Sequence, residues 1–306
     1  MDEDQIMGTD FLVDDGVFMP MLNDTGRNQF YKQALDRAAA GQVVCDIGAG
    51  TGFLSVLALE AGASHVIAVE RDPGRFAYLN QTIKNLGLGN RIETHCVNFL
   101  DSDIQADVYV SETINTQIFG EDMARLSNHV AHRGGQFIPA GVRIWAEVYT
   151  DHPVFVLDLT HNESYEFDPG IGIDSEFVNS VNLDFQQQYN LQQTVFKANQ
   201  FTRLFTMLDR FTDLRLNKIG ETTPITVNFN HHNNESNIEI VIPNSQVPMG
   251  MPMVVLKWEM FYQDIVLHSN KCWFGNVAKN IRDQFRTGND IVFRYDPAIR
   301  NWRLSY

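Results

Sequence analysis

Between about Gly41 and Pro139 the chain alternates short apolar runs with amphipathic stretches. QVVCDIG, FLSVLALEAG, HVIAVE, PGRFAYLNQTIKNLG, RIETHC, DVYVSE and EDMARLSNHVAHRG follow in that order. The Val- and Ile-rich runs are too short for helices and read as strands, whereas the stretches between them place apolar residues at helical spacing. The order β-α-β-α-β-β-α predicts an α/β fold with a Rossmann-like, doubly wound parallel sheet. After Pro139 the pattern changes. VRIWAEVYT, PITVNFN, NIEIVIP, MVVLKWEMFYQDIVLH and DIVFRYD either alternate apolar with polar residues or are dense in β-branched and aromatic ones, with Asn, Pro and Gly between them. That pattern predicts a β-rich, barrel-like domain of antiparallel strands. Three units follow: an N-terminal helical segment over 1–40, an α/β domain over 41–140 and a β domain over 141–306. Residues 170–215, Gln- and Asn-rich before FTRLFTMLDRF, read as an insertion: a surface excursion, or a dimerisation or lid element.

Composition narrows the partners. The chain has 306 residues, of which 44% are hydrophobic, and a formal net charge of −15. The first 26 residues hold seven acids and no Lys or Arg. Such a field repels phosphate backbones and anionic membranes and draws basic partners, so neither nucleic acid nor membrane is expected. Cys45, Cys96 and Cys272 are too few and too scattered for a disulfide framework or a zinc site. His231 and His232 sit in a polar turn without Cys or carboxylate at ligand spacing, so no metal is read there. With no apolar run of membrane-spanning length and no basic leader, the expected location is cytoplasmic.

The strongest local signal is Asp46-Ile-Gly48-Ala-Gly50-Thr-Gly52, between an apolar strand and an amphipathic helix. Glycines permit left-handed turns and let a ligand approach the backbone, and a helix N-terminus offers N–H groups to an anion. A dinucleotide fingerprint needs its third glycine one residue later, and Asp46 would oppose a pyrophosphate. That carboxylate suits a ligand with an ammonium or sulfonium. Glu70, ending the next strand, is placed to accept hydrogen bonds from ribose hydroxyls. S-adenosylmethionine meets these demands.

These residues resemble class I methyltransferases and, more narrowly, protein arginine methyltransferases. Met21-Leu22-Asn23-Asp24-Thr-Gly-Arg27-Asn-Gln-Phe-Tyr31 is similar to the family's M-L-x-D-x-x-R-x-x-x-Y helix. The resemblance implies that Arg27 binds the cofactor's methionine carboxylate, a bidentate match for a guanidinium, and that Tyr31 faces the substrate. SETINTQIFGED, residues 111–122, resembles the family's double-glutamate loop, in the form found in the monomethylating type III subgroup. Glu112 and Glu121 are the implied catalytic pair, with Asn115 and Thr116 as substrate contacts, and Asn115 stands where that form has Asp. Val97 and Asn98 fall where the family contacts adenine. The family's T-H-W signature has no clear counterpart, since His268 is followed by Ser.

The chemistry explains the two acids. An arginine side chain is always protonated and its charge is delocalised. Two carboxylates can orient one guanidinium nitrogen toward a methyl donor and leave electron density on it. The expected activity is therefore S-adenosylmethionine-dependent arginine N-methylation of a basic or Arg-containing protein or peptide. The resemblance also implies a homodimer. Two alternatives stay open: methylation of a small molecule or another side chain, and an inactive cofactor-binding partner protein. Glu121 has a simpler reading as well, an acid favoured in the first turn of the helix that follows it.

Overall fold

The computed structural model describes residues 24–114, 118–149, 218–231, 238–249, 252–269, 277–280 and 288–305. The expectations for Met21, Leu22 and Asn23, for Asn115, Thr116 and Gln117, for the 170–215 insertion, and for His232 and Cys272 lie outside these residues.

The apolar runs of the first half become one parallel sheet. β1 (Val43–Ile47), β2 (His65–Glu70), β3 (Ile92–Cys96), β4 (Val108–Ser111) and β5 (Gln136–Ile138) are ordered β3-β2-β1-β4-β5. Four of the five residues of β1 and all four of β4 are buried, as expected of central strands covered on both faces. The helices are α1 (Thr25–Ala38), α2 (Phe53–Glu60), α3 (Pro73–Asn85) and α4 (Met123–Ala131). Two of them start with a side-chain cap. Asp24 accepts from the Arg27 amide at 2.9 Å, and Asp72 from the Arg75 amide at 2.8 Å with Pro73 beginning the helix. Between β3 and β4 there is only a short 3₁₀ turn, Phe99–Asp101. The strand order changes direction at β1, which pairs with β2 on one side and β4 on the other. The crevice beyond the carboxyl ends of β1 and β4 is thus the site at which open α/β sheets bind ligands.

The antiparallel half begins with β6 (Gly141–Tyr149) and continues with β7 (Lys218–Glu221), β8 (Ile225–Asn228), β9 (Glu239–Ile242), β10 (Met253–Tyr262), β11 (Ile265–His268), β12 (Val277–Asn280), β13 (Ile291–Asp296) and β14 (Asn301–Ser305). The expected β-rich domain of antiparallel strands is borne out, though among the described residues the strands do not close into a barrel. Six form a sheet built on the β6–β10 ladder, while β9, β13 and β14 pair only with one another. Among the described residues, ladder hydrogen bonds therefore do not run from one group to the other.

What joins the two halves is apolar contact plus a few directed bonds. Val142, Ile144, Ala146 and Val148 of β6 are wholly buried, as are Val254, Leu256, Trp258 and Met260 of β10. Edge-to-face contacts link Phe137 of β5 to Phe229, Phe229 to Phe119, and Phe119 to Tyr295 of β13. The Asn230 side chain accepts from the Phe137 amide at 2.8 Å, and the Tyr262 hydroxyl donates to Gln136 at 3.0 Å. Helix α1 packs on α2 and also on β11, where Arg37 pairs with Asp264. Among the described residues no helix is long and apolar enough to cross a membrane.

Gly141, at the start of the antiparallel half, is closely enclosed by β8 and β10. A Cβ there would stand 2.5 Å from the Val227 carbonyl oxygen and 2.6 Å from the Phe261 ring. Backbone cannot give way as a flexible side chain can, so Gly141→Ala should destabilise the protein by about 1–3 kcal/mol. Urea unfolding of the variant against wild type checks this.

Candidate active site

One cavity at the carboxyl ends of the parallel strands collects most of the residues singled out by sequence. Arg27, Asp46, Gly48, Gly50, Glu70, Val97, Asn98, Glu112 and Glu121 all line it. β1 delivers Asp46 and the glycine turn, β2 ends in Glu70, and β4 runs straight into Glu112.

The glycines have identifiable reasons. Gly48 has φ +76°, and a Cβ on it would come within 3.3 Å of the Thr113 methyl, across the cavity floor. Gly52, at φ +81°, caps α2 and leaves room for Leu79 at 2.9 Å. Both positions are left-handed and crowded, which excludes other residues. The Gly50 amide is not left for an anion, since it donates to Glu70 Oε2 at 3.1 Å. Glu70 Oε1 accepts from the Asp72 amide at 2.9 Å. Each Glu70 oxygen keeps a second lone-pair direction, and the two backbone bonds fix the carboxylate's orientation.

Asp46 is held differently. The Ser55 hydroxyl donates to its Oδ2 at 2.6 Å, while Oδ1 is buried without a hydrogen-bond partner. Burial pushes its carboxyl up to about 6; the Ser55 bonds oppose the shift and Glu70 adds to it. An orphaned carboxylate oxygen in a cavity wall is what a cationic ligand group would complete.

At the other end of the cavity Arg27 meets Glu112. Arg27 Nη2 lies 3.1 Å from Glu112 Oε2, with side chains 3% and 11% exposed. Burial works against the Arg27 cation, but Glu112 more than compensates and its pKa rises further. Burial lifts the Glu112 carboxyl above the usual range, and Arg27 pulls it back only in part. Arg27 Nη1 donates to Asn28 at 2.8 Å, and its Nε is buried without a partner. The guanidinium is flanked by the rings of Tyr31 and Phe53, 5.5 and 5.9 Å away. The residue expected to hold a cofactor carboxylate thus touches the first glutamate of the loop directly.

Other candidates stand apart from the cavity or are engaged locally. Tyr31 is completely buried beneath β4, where its hydroxyl donates to the Ser111 carbonyl at 2.9 Å. There it ties α1 to the strand end that carries Glu112. Asn98 lines the cavity, but its amide is already engaged: Oδ1 caps the 3₁₀ turn at Leu100 N, and Nδ2 donates to Asp101 at 2.8 Å. Helix α4 starts at Met123 behind Asp122, so Glu121 lies in the preceding turn, exposed, and not in the helix's first turn. His95 pairs with Glu93 at 2.8 Å. Three contributors had no sequence signal that was read: Ser55, which steadies Asp46; Thr113, whose methyl faces Gly48; and Asp122, which Arg71, Arg125 and Arg300 surround. Only Ser55 had a local cue, since one strand–turn–helix unit carries it beside Asp46.

Comparison with known proteins bears on the family and the fold. The family model described as ribosomal protein L11 methyltransferase (PrmA) matches residues 30–144. An uncharacterised protein of Methanocaldococcus jannaschii is 24% identical over 209 residues, 62% of this chain and 76% of that one. Protein arginine N-methyltransferase 7 of Drosophila erecta is 33% identical over 149 residues, 43% of this chain and 21% of its own length. The chain thus spans about a fifth of that arginine methyltransferase relative. The crystal structure of PRMT6 superposes with a TM-score of 0.56 at 14% identity, covering 94% of this chain and 97% of that one, and shows a shared fold. The resemblance to protein arginine methyltransferases is thus borne out by sequence relatives over less than half of the chain, and by the shared fold over nearly all of it.

The buried Asp46 makes a prediction that is independent of any ligand. Its folded pKa lies above that of an unfolded Asp, so the folded state binds the extra proton. Its stabilising contribution is full below about pH 4 and is lost as pH rises through about 6. Asp46→Asn should therefore stabilise the ligand-free protein at pH 8 by about 1–3 kcal/mol and flatten stability between pH 4 and 6. Denaturant titrations across that range measure both effects.

Proposed function

We propose, for a chain related to the protein arginine N-methyltransferases, that it transfers a methyl group from S-adenosylmethionine to a guanidinium nitrogen of an Arg-containing protein or peptide. The observation that carries this reading is that Glu112 and Glu121 line one cavity together with Arg27, Asp46 and Glu70. Two carboxylates then stand beside a set of groups suited to a single zwitterionic nucleoside.

The cofactor fits the residues present. Asp46 Oδ1, buried and without a partner, matches an ammonium. Glu70, fixed by two amides, matches ribose hydroxyls. Arg27, with an unpartnered Nε, matches a carboxylate. Val97, 39% exposed at the rim, and Asn98 suit a flat base by apolar contact more than by the amide, which is bonded elsewhere. When bound, S-adenosylmethionine supplies an electrophilic methyl group on a sulfonium.

The chain's own residues do the rest by position and charge. Glu112 and Glu121 grip the guanidinium through charge-assisted hydrogen bonds worth about 1.5–3 kcal/mol each. Their charge concentrates the cation on the gripped nitrogens and leaves the remaining one richer in electrons for attack. Arg27 limits the freedom of Glu112 and offsets part of the burial that disfavours its charge. Glu121, exposed at the mouth, takes the proton that the methylated nitrogen releases and passes it to solvent. Asn115 and Thr116 belong to the same loop and are proposed as peptide contacts. The acidic chain, with net charge −15, favours basic substrates at long range. Homodimer formation is proposed with the activity on the basis of the family resemblance.

Incubation with isotopically labelled S-adenosylmethionine and Arg-containing peptides, followed by fragmentation mass spectrometry, should place the label on arginine. Cofactor binding without transfer to any such peptide would favour a binding partner over an enzyme; label on another side chain or a small molecule would replace the substrate class. Glu112→Gln should cut kcat/KM for the peptide about a hundredfold or more, equivalent to about 3 kcal/mol, while the cofactor Kd stays unchanged or tightens because Arg27 is released. Glu121→Gln should lower kcat as well; normal turnover in that variant would remove its role as proton acceptor.

A further inference from the structure

The loop that carries Glu121 is held from outside its own domain. Ile118 and Asp122 bracket Phe119, Gly120 and Glu121, and both adopt left-handed backbone with φ 70°. Neither is glycine, and a β-branched Ile disfavours that region most, so the loop persists only where its surroundings enforce it.

The enforcing contacts come from the β13–β14 hairpin. The Tyr295 hydroxyl, on β13, donates to the Phe119 carbonyl at 3.1 Å, and its ring packs on Phe119 at 5.1 Å. Trp302, on β14, backs that ring at 5.7 Å. In the turn between the two strands Arg300 Nη2 reaches Asp122 Oδ2 at 3.1 Å. The hairpin therefore grips the residue after one left-handed position and also the other left-handed residue itself, with Glu121 between them. Asp122 is only 7% exposed and receives Arg125 at 3.2 Å and Arg71 at 3.8 Å as well, so its charge is compensated from three elements. Arg71 and Asp122 both line the cavity, so the brace reaches its rim.

We infer that Tyr295 and Arg300 are positioning residues for Glu121: the C-terminal hairpin fixes the strained loop and so sets where the second carboxylate of the site stands. This rests on the proposed arginine methylation for its catalytic consequence but not for its structural one. Neither residue lines the cavity. The hairpin leaves Asp46 and Glu70 alone, so disturbing it should move acceptor handling and spare cofactor binding.

The test uses the full chain with Tyr295→Phe, Arg300→Ala and Arg300→Lys. Tyr295→Phe keeps the ring contacts and deletes one hydroxyl. Arg300→Ala leaves Asp122 with Arg71 and Arg125 as counter-ions, so the fold should survive. Hydrogen exchange read by mass spectrometry should show amides of 118–122 exchanging about tenfold faster in Tyr295→Phe and Arg300→Ala, with the parallel sheet unchanged. S-adenosylhomocysteine should bind within about twofold of wild type, while kcat/KM for an Arg-containing peptide falls about tenfold or more, and Arg300→Lys recovers part of the loss. Unchanged exchange at 118–122, or cofactor affinity falling in step with activity, would overturn the inference. If the wild-type chain methylates no arginine, the functional reading fails and exchange at 118–122 alone decides the brace.

Discussion

The buried contact between Arg27 and Glu112 is the constraint on which the site depends. Burial of two opposite charges is weak evidence for stability, because desolvation offsets most of the attraction. Its value lies in register. Arg27 belongs to α1 and Glu112 to the end of β4, and the Tyr31 hydroxyl bonds Ser111 one helical turn further along the same helix. Two directed contacts thus set α1 against the strand end from which the first carboxylate emerges. Loss of either partner would leave a buried charge uncompensated, so the contact selects one arrangement of helix and strand over its neighbours.

From there the electrostatics of the cavity follow. Asp46 is buried and Glu112 nearly so, and both are held above the usual carboxylate range, chiefly by desolvation. A protein optimised only for stability would place neither there. The continuous apolar core that runs from α1 through the parallel sheet to the antiparallel strands offsets that cost. On the proposed reading the cavity takes up charges that arrive from outside: an ammonium for Asp46, a carboxylate for Arg27, and a guanidinium for the two loop glutamates.

Local patterns made the first half legible. The run from Val43 to Glu70 shows its strands, its glycine turn and its terminal acid in sequence order, because each is set by residues a few positions away. That the sheet is parallel followed from the alternation alone. The antiparallel half was harder. Its strand material was visible in β6, β8, β9, β10, β11 and β13, but the pairing of β13 with β9 is a long-range choice that no local pattern encodes, and so the division of the described strands into two sheets was not legible. Within the site, the residues that act through partners distant in sequence escaped notice. Nothing local announces Asp122 as the point where Arg71, Arg125 and Arg300 converge, and Tyr31 reads as a substrate contact although its hydroxyl bonds the Ser111 carbonyl. Asn98 fits an adenine contact by position, yet its amide is used by its own turn.

A crystal structure of the chain with S-adenosylhomocysteine and an arginine peptide examines the central claim most directly. The guanidinium should lie between Glu112 and Glu121, each within about 3 Å of one of its nitrogens, with Asp46 and Arg27 on the cofactor's ammonium and carboxylate. A guanidinium bound elsewhere, or the two glutamates turned apart beside an occupied cofactor pocket, would contradict it.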